Sequence, residues 1–195
     1  AAFPDYMAIS SDPPIENTML TTQFRGWPVF DFEPDWVEAP KMRYDRTFVE
    51  LSNGKGFPIR SDEASRAFTV LERQWVLNGR ADHINFIRSI QYLRGRARPV
   101  WVPTYNDDLT LTSNVASGTR VIAVTPNGYM PLGGARDDRR FIMIETADGD
   151  RMLREVTSLS SIGSDYLLTL TPALTKTFSI NQVSRISFLI LCRLN

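Results

Sequence analysis

One histidine, one cysteine and four groups of carboxylates are the residues of this 195-residue chain that could do chemistry. With no second histidine, Cys–His or Ser–His–Asp catalysis would have to be built on His83 alone. Its flank, Ala-Asp-His-Ile-Asn, matches no nucleophile motif. Cys192 lies in an apolar run, where a thiol normally fills space. A histidine-based metal site needs more partners than this chain offers. A single cysteine makes neither a disulfide nor a thiolate zinc set within one chain.

The carboxylates are Asp31, Glu33, Asp35 and Glu38 around Trp36, then the pairs Asp107-Asp108, Asp137-Asp138 and Asp148-Gly149-Asp150. Two carboxylates can hydrolyse a glycosidic bond, which makes a lysozyme-like activity the one enzymatic alternative worth naming. Aspartates in turns are already explained by local hydrogen bonding, however. None of the doublets has the spacing of an EF-hand loop, although a calcium-binding loop in the β region stays open. Gly54-Lys55-Gly56 lacks the upstream glycine and the following Ser/Thr of a phosphate loop, and no GxGxxG occurs. The expectation is a non-enzyme without catalytic residues, cofactor or metal.

The elements that hold these residues follow from spacing. Ile84, Ile87, Ile90 and Leu93, with Phe86 beside them, draw an apolar stripe along a short helix. Asp82 suits its first turn, Arg88 and Arg94 its C-terminal end, and Gly95 the left-handed stop. Phe68, Val70 and Trp75-Val76-Leu77 are strand-like before it, with Asn78-Gly79 as a turn. Pro99 and Pro103 bracket Val100-Trp101-Val102, a strand that must lie at an edge or end abruptly. Between helix and strand, Arg94, Arg96 and Arg98 form an arginine-rich turn. Arginines interleaved with aromatics can grip a nucleic acid, but five residues on a neutral chain read better as an ion-paired structural turn.

Net charge is zero but unevenly laid out. Residues 1–50 carry four basic and nine acidic groups, residues 51–105 nine basic and four acidic, and the remainder nine of each. An acidic region beside a basic one suggests that the two pack together, within a chain or between chains. Arginine outnumbers lysine 19 to 3, a mild bias toward interfaces. No apolar run reaches the roughly 18–20 residues needed to span a bilayer, and the first residues lack a basic-then-apolar leader pattern.

Three regions are expected. Residues 1–45 are an extended arm, rich in proline (Pro4, Pro13-Pro14, Pro28, Pro34, Pro40) and in aromatics (Phe24, Trp27, Phe30, Phe32, Trp36) that need an apolar surface to cover. That surface is either the chain's own domain or a neighbouring subunit. Residues 46–105 hold the strand Thr47–Leu51, the turn Ser52–Gly56 and a β-α-β unit. Residues 106–195 are all β, with strands at Asp108–Thr112, Arg120–Val124, Phe141–Glu145, Met152–Leu159, Tyr166–Leu170 and Arg185–Cys192. Turns are expected at Ser117-Gly118, Asn127-Gly128, Gly133-Gly134, Asp148-Gly149 and Gly163-Ser164. The fold class is mainly β with one short helix, ending in a small antiparallel barrel or sandwich.

One segment also carries a resemblance. Phe68, Val70, Trp75-Val76-Leu77-Asn78, Arg80-Ala81 and Phe86 are followed by YLRGRARPVWVPTY from Tyr92 to Tyr105. Then come Leu109–Thr112, Val115, Gly118, Ile122 and Val124. This frame resembles tail structural proteins of siphophages of the distal-tail or tail-tip adaptor type. The resemblance covers residues 67–125 well and the flanks loosely; its arginine-aromatic-proline element is fairly specific, its β part generic. It implies a β-rich ring-forming domain with a small appended β domain, in rings between the tail tube and the hub or fibres. It further implies a homo-oligomeric ring, a hexamer among the orders allowed, with tail-tube and hub or baseplate proteins as partners. The implied location is the virion tail, assembled in the host cytoplasm; no membrane or nucleic-acid partner is expected.

The expected interface sets Arg94, Arg96, Arg98 and Trp101 against Asp31, Glu33, Asp35, Trp27 and Trp36, between adjacent subunits. The alternative is a carbohydrate-binding or host-recognition β module, with Trp27, Trp36 or Trp101 on an exposed platform.

Overall fold

The computed structural model describes residues 20–37, 41–45, 48–52, 54, 57, 59–62, 68–127 and 139–194. The fold is mainly β, with one α-helix among the described residues, as expected. Two compact units divide the chain: one combines residues up to Asp31 with Gly79–Asn195, and the other is Phe32–Asn78. The expected cuts at 45/46 and 105/106 are therefore not where the chain divides. Long-range strand pairing explains the difference, because the strand at Val100–Pro103 joins the sheet built by the C-terminal residues.

The first unit opens with a tight hairpin, β1 (Gln23–Phe24) and β2 (Trp27–Pro28). Arg25 at φ 50° and Gly26 at φ 83° make the two-residue turn, both in the left-handed region that such a hairpin demands. Residues 20–31 are therefore not a featureless extended arm; positions before 20 lie outside the described residues. In the second unit, β3 (Lys41–Asp45) pairs with β6 (Phe68–Glu72), and β4 (Phe48–Leu51) with β5 (Ile59–Asp62), all antiparallel. The Thr47, Asn53, Lys55 and Gly56 expectations fall outside the described residues.

Helix α1 runs Gly79–Leu93. It stops where Arg94 (φ 50°) and Gly95 (φ 61°) both turn left-handed, and the Arg98 amide returns to Leu93 O at 3.1 Å. A single 3₁₀ turn, Gly95–Ala97, follows. The inward line of this helix is Ser89 and Leu93, both buried, with Phe86 and Ile90 half-buried. The anticipated stripe is thus rotated: Ile84 and Ile87 face outward, 38% and 41% exposed.

The six-stranded antiparallel sheet follows the order β7 (Val100–Pro103), β12 (Val183–Cys192), β9 (Phe141–Thr146), β10 (Arg151–Ile162), β11 (Asp165–Thr171), β8 (Val121–Val124). The predicted hairpin is present, Arg151 facing Glu145 across a turn closed by Gly149 at φ 87°. Gly118 and Gly163 also take positive φ at expected turns, while Gly128, Gly133 and Gly134 lie outside the described residues. β7 is an edge strand, as its two prolines require, and Val29 forms a parallel bridge to Trp101 along it. Asp108–Thr112 forms no ladder strand. It instead crosses from β12, with Asp108 N bonded to Ile186 O, to β8, with Thr112 N bonded to Ala123 O.

Period-two alternation gives the sheet two faces. Ile122, Val124, Ile142, Ile144, Met152, Val156, Leu168, Leu170, Ile186 and Phe188 fill the main core with Leu109, Leu111, Leu174 and Phe178. The opposite face carries Met143 and Leu189, packed with Val29, Trp101 and Tyr105. Among the described residues no helix is long and apolar enough to cross a membrane.

Candidate interaction surface

On that opposite face the side chains that protrude from β9, β10 and β12 form a cross-strand row. Arg151, Glu145 and Arg185 are directly paired neighbours on three adjacent strands. Glu145 bridges them, accepting from Arg151 Nε at 2.9 Å and from Arg185 Nε. Burial raises the Glu145 carboxyl, but the hydrogen bonds from Arg185 and Arg151 outweigh it and hold the group below its ordinary value. Arg185 also lies over the Tyr105 ring, 5.0 Å from its centroid, and burial pushes that phenol up.

Residues 20–31 lie on this row and on the apolar patch beside it. Phe24 packs edge-on against Trp101 and Phe141, with centroids 5.7 and 5.8 Å away. The Trp101 indole donates to Phe24 O at 2.8 Å, and Phe30 N donates to Trp101 O at 2.7 Å. Arg25 reaches Glu155 at 3.3 Å, which Arg140 shares at 3.2 Å. Arg151 donates to the Asp31 carbonyl at 3.0 Å and stands 3.9 Å from its carboxylate. The aromatics here therefore cover the chain's own sheet, the first of the two surfaces the sequence allowed.

These positions sort the expected interface residues. Trp101 is 5% exposed and belongs to the core of its own chain, which corrects its assignment to an interface between subunits. Asp31 meets Arg151, a residue the sequence reading did not single out. Arg98 is half-buried and stacks on Tyr92, 4.4 Å from its centroid, whereas Arg94 and Arg96 are exposed. Trp27, at the hairpin, is 40% exposed.

Glu33, Asp35 and Trp36 belong to the second unit. There, Asp35 N donates to Gln74 O at 2.9 Å and the Trp75 indole to Phe32 O at 3.3 Å. The Trp36 indole meets Glu33 at 3.4 Å and Val37 N meets Asp35 Oδ1 at 3.0 Å. This turn presents Trp36 and Val37 to solvent, 46% and 86% exposed.

Asp108, Asp148 and Asp150 have local structural tasks. His83 is exposed in the first helical turn and Cys192 is half-buried. Asp108 accepts from Thr104 Oγ1 and from Phe188 N at 2.9 Å, tying the crossing segment to β12. Asp148 and Asp150 clasp Lys176, with Asp150 at 2.6 Å. Lys176 and Thr146 hold the Asp148 carboxyl at about 2. This trio rims a pocket of about 300 Å³ with Thr177, Phe178 and Gln182. Glu38, Asp137 and Asp138 lie outside the described residues. Among the described residues, no group of three His, Cys, Asp or Glu is placed to hold a metal ion.

Two features escaped the sequence reading. The Arg-Glu-Arg row could have been found from the alternation Arg151, Leu153, Glu155, which marks one strand face, but its partners come from strands distant in sequence. Arg154 is the other: it stands opposite Ile142, is buried, and donates to Leu153 O at 2.7 Å. Burial lowers its pKa. Nothing local in the sequence distinguishes it from the exposed arginines.

No protein-family profile matches this chain, and no curated protein matches it.

Proposed function

We propose that this chain is a non-enzymatic structural component of a bacteriophage virion tail, an oligomeric ring that joins the tail tube to the hub or fibres. The observation that carries the reading is the division of surfaces. The six-stranded sheet buries an apolar core, while Ile84 and Ile87 on the helix of that unit, and Trp36 and Val37 in the other unit, stand exposed beside charged groups. Exposed apolar side chains of this kind are what an assembly protein buries against neighbours. The tail-adaptor resemblance of residues 67–125 supplies the setting, and the structural tasks of Asp108 and Asp148 agree with it.

Native mass spectrometry of the full chain, with electron microscopy of the particles, tests it. A closed homo-oligomer that co-assembles with tail-tube or hub protein is the expected result. A monomer at all concentrations, or turnover of cell wall that is lost on changing Asp107 and Asp108, refutes it.

A second reading, a glycan-binding module at the tail tip, draws on the exposure of Trp27 and Trp36 and on the pocket rimmed by Lys176. Glycan-array binding that vanishes with Trp36→Ala would favour it.

A further inference from the structure

Helix α1 has two faces with different contents. The inward line is half-buried Phe86 with buried Ser89 and Leu93; the opposite face brings together Arg80, Ala81, Ile84, Ile87, Arg88 and Gln91, all exposed. Spacings of four and three residues (80, 84, 87, 91) place these on one stripe. The only acid of the helix, Asp82, lies on the side of the inward line. Among the described residues, neither Arg80 nor Arg88 meets a carboxylate. The arginine turn beyond the helix adds exposed Arg94 and Arg96 at its end. An apolar centre flanked by guanidinium groups is a docking surface for something both apolar and acidic.

The same chain presents a surface of that composition. In residues 33–37, Trp36 and Val37 form the exposed apolar pair, flanked by Glu33 and Asp35, and two local hydrogen bonds shape the turn that displays them. We propose that the outward face of helix α1 docks on the Glu33–Val37 turn of a second copy of this chain. Ile84 and Ile87 cover Trp36 and Val37, and Arg80 and Arg88 meet Glu33 and Asp35. The contact joins unlike surfaces, so it repeats head to tail and closes into a ring when the rotation allows. The inference rests on the ring reading above and supplies its contact.

Two charge-reversed variants of the full chain test it: Arg80→Glu with Arg88→Glu, and Glu33→Lys with Asp35→Lys. Each should keep the wild-type far-UV spectrum, since all four positions lie outside the apolar core. The Glu33→Lys, Asp35→Lys variant also deletes the two hydrogen bonds within the turn. Glu33→Gln with Asp35→Asn, which keeps acceptors there, is the control and should weaken assembly less than the reversal. Each reversal alone should weaken self-association by about tenfold or more, most clearly at low ionic strength. An equimolar mixture should regain it, because every reversed surface then finds its complement on the other variant. Ile84→Ser, which leaves the charges in place, should weaken assembly independently of salt.

Wild-type oligomers unaffected by either reversal overturn this contact while leaving the ring reading intact. A wild-type chain that never self-associates overturns the ring reading itself. Two variants that each fail to assemble and stay apart when mixed show that the surfaces are not partners. Unchanged assembly, with anionic vesicle or DNA binding lost in the arginine variant, would assign the face to a membrane or a nucleic acid instead.

Discussion

The two units handle their apolar residues in opposite ways. In the unit built on the six-stranded sheet, Ile142, Ile144, Leu168, Leu170 and Ile186 are fully buried between strands that each have a paired neighbour. Even its edges are partly covered, by the Val29 bridge to Trp101 and the Leu111 bridge to Val124. In Phe32–Asn78 the described strands form two separate two-stranded ladders, and Val37, Tyr44, Leu51, Phe57, Ile59 and Val76 are exposed. Two-stranded ladders are marginal by themselves, and exposed apolar side chains gain from a cover. The contrast teaches that the described apolar core of this chain is concentrated in the sheet unit.

The largest effect should come from the core of the sheet. Ile144→Ala removes a fully buried side chain between β10 and β12 and should cost about 3–4 kcal/mol in urea unfolding of the full chain. Loss of less than about 1 kcal/mol would mean that the sheet unit is not the stable part.

Next is the charged row. Glu145→Gln leaves Arg151 and Arg185 facing each other across a mostly buried site and should cost roughly 2–3 kcal/mol. The native Glu145 carboxyl titrates below its ordinary value of 4.5. Its contribution is therefore complete above pH 4.5 and disappears as the pH falls through the lowered native value. The wild-type protein should lose stability over that acid range, and the Gln variant should lose less. Parallel acid curves would show that Glu145 is not the titrating group.

A smaller effect is expected where residues 20–31 meet the sheet. Trp101→Phe keeps an aromatic ring but deletes the donor to Phe24 O, and should cost about 1–2 kcal/mol. Protease cleavage within residues 20–31 should then be faster than in wild type; an unchanged rate would show that this bond does not hold the segment down. The smallest effect belongs to the second unit. Ile59→Thr, on an exposed strand position, should alter monomer stability by less than about 0.5 kcal/mol. A loss matching that of Ile144→Ala would erase the contrast between the two units.

Much of the sheet was legible in local sequence. Phe141–Thr146, Arg151–Ile162, Asp165–Thr171 and Val183–Cys192 extend by one to three residues at their ends beyond the expected strands. The pairing of β9 with β10 through Asp148-Gly149 could be read from turn chemistry alone, because Gly149 occupies a conformation other residues avoid. The edge position of Val100–Pro103 followed from proline's missing donor. The helix was located correctly but faced wrongly. Ile84, Ile87, Ile90 and Leu93 do share spacing, yet Phe86, Ser89 and Leu93 form an equally regular line, and periodicity cannot say which line meets the protein. The candidate surface was half legible: arginines and acids were found, but the expected pairing ignored Arg151 and misplaced Trp101.

Most strand and turn identities were determined by the sequence itself, because alternation of apolar side chains and the stereochemistry of glycine and proline act over a few residues; residues 75–77 and 108–112, however, form no ladder strand. Tertiary structure alone decided which strands distant in sequence became neighbours. It joined Val100–Pro103 to the last strand some ninety residues later, laid residues 20–31 on its outer face, and drew Arg151, Glu145 and Arg185 into one row. Those choices depend on complementary burial between distant segments. A hydrophobic or charged residue announces its need for a partner, while its partner is selected only when the whole chain competes for the same surfaces.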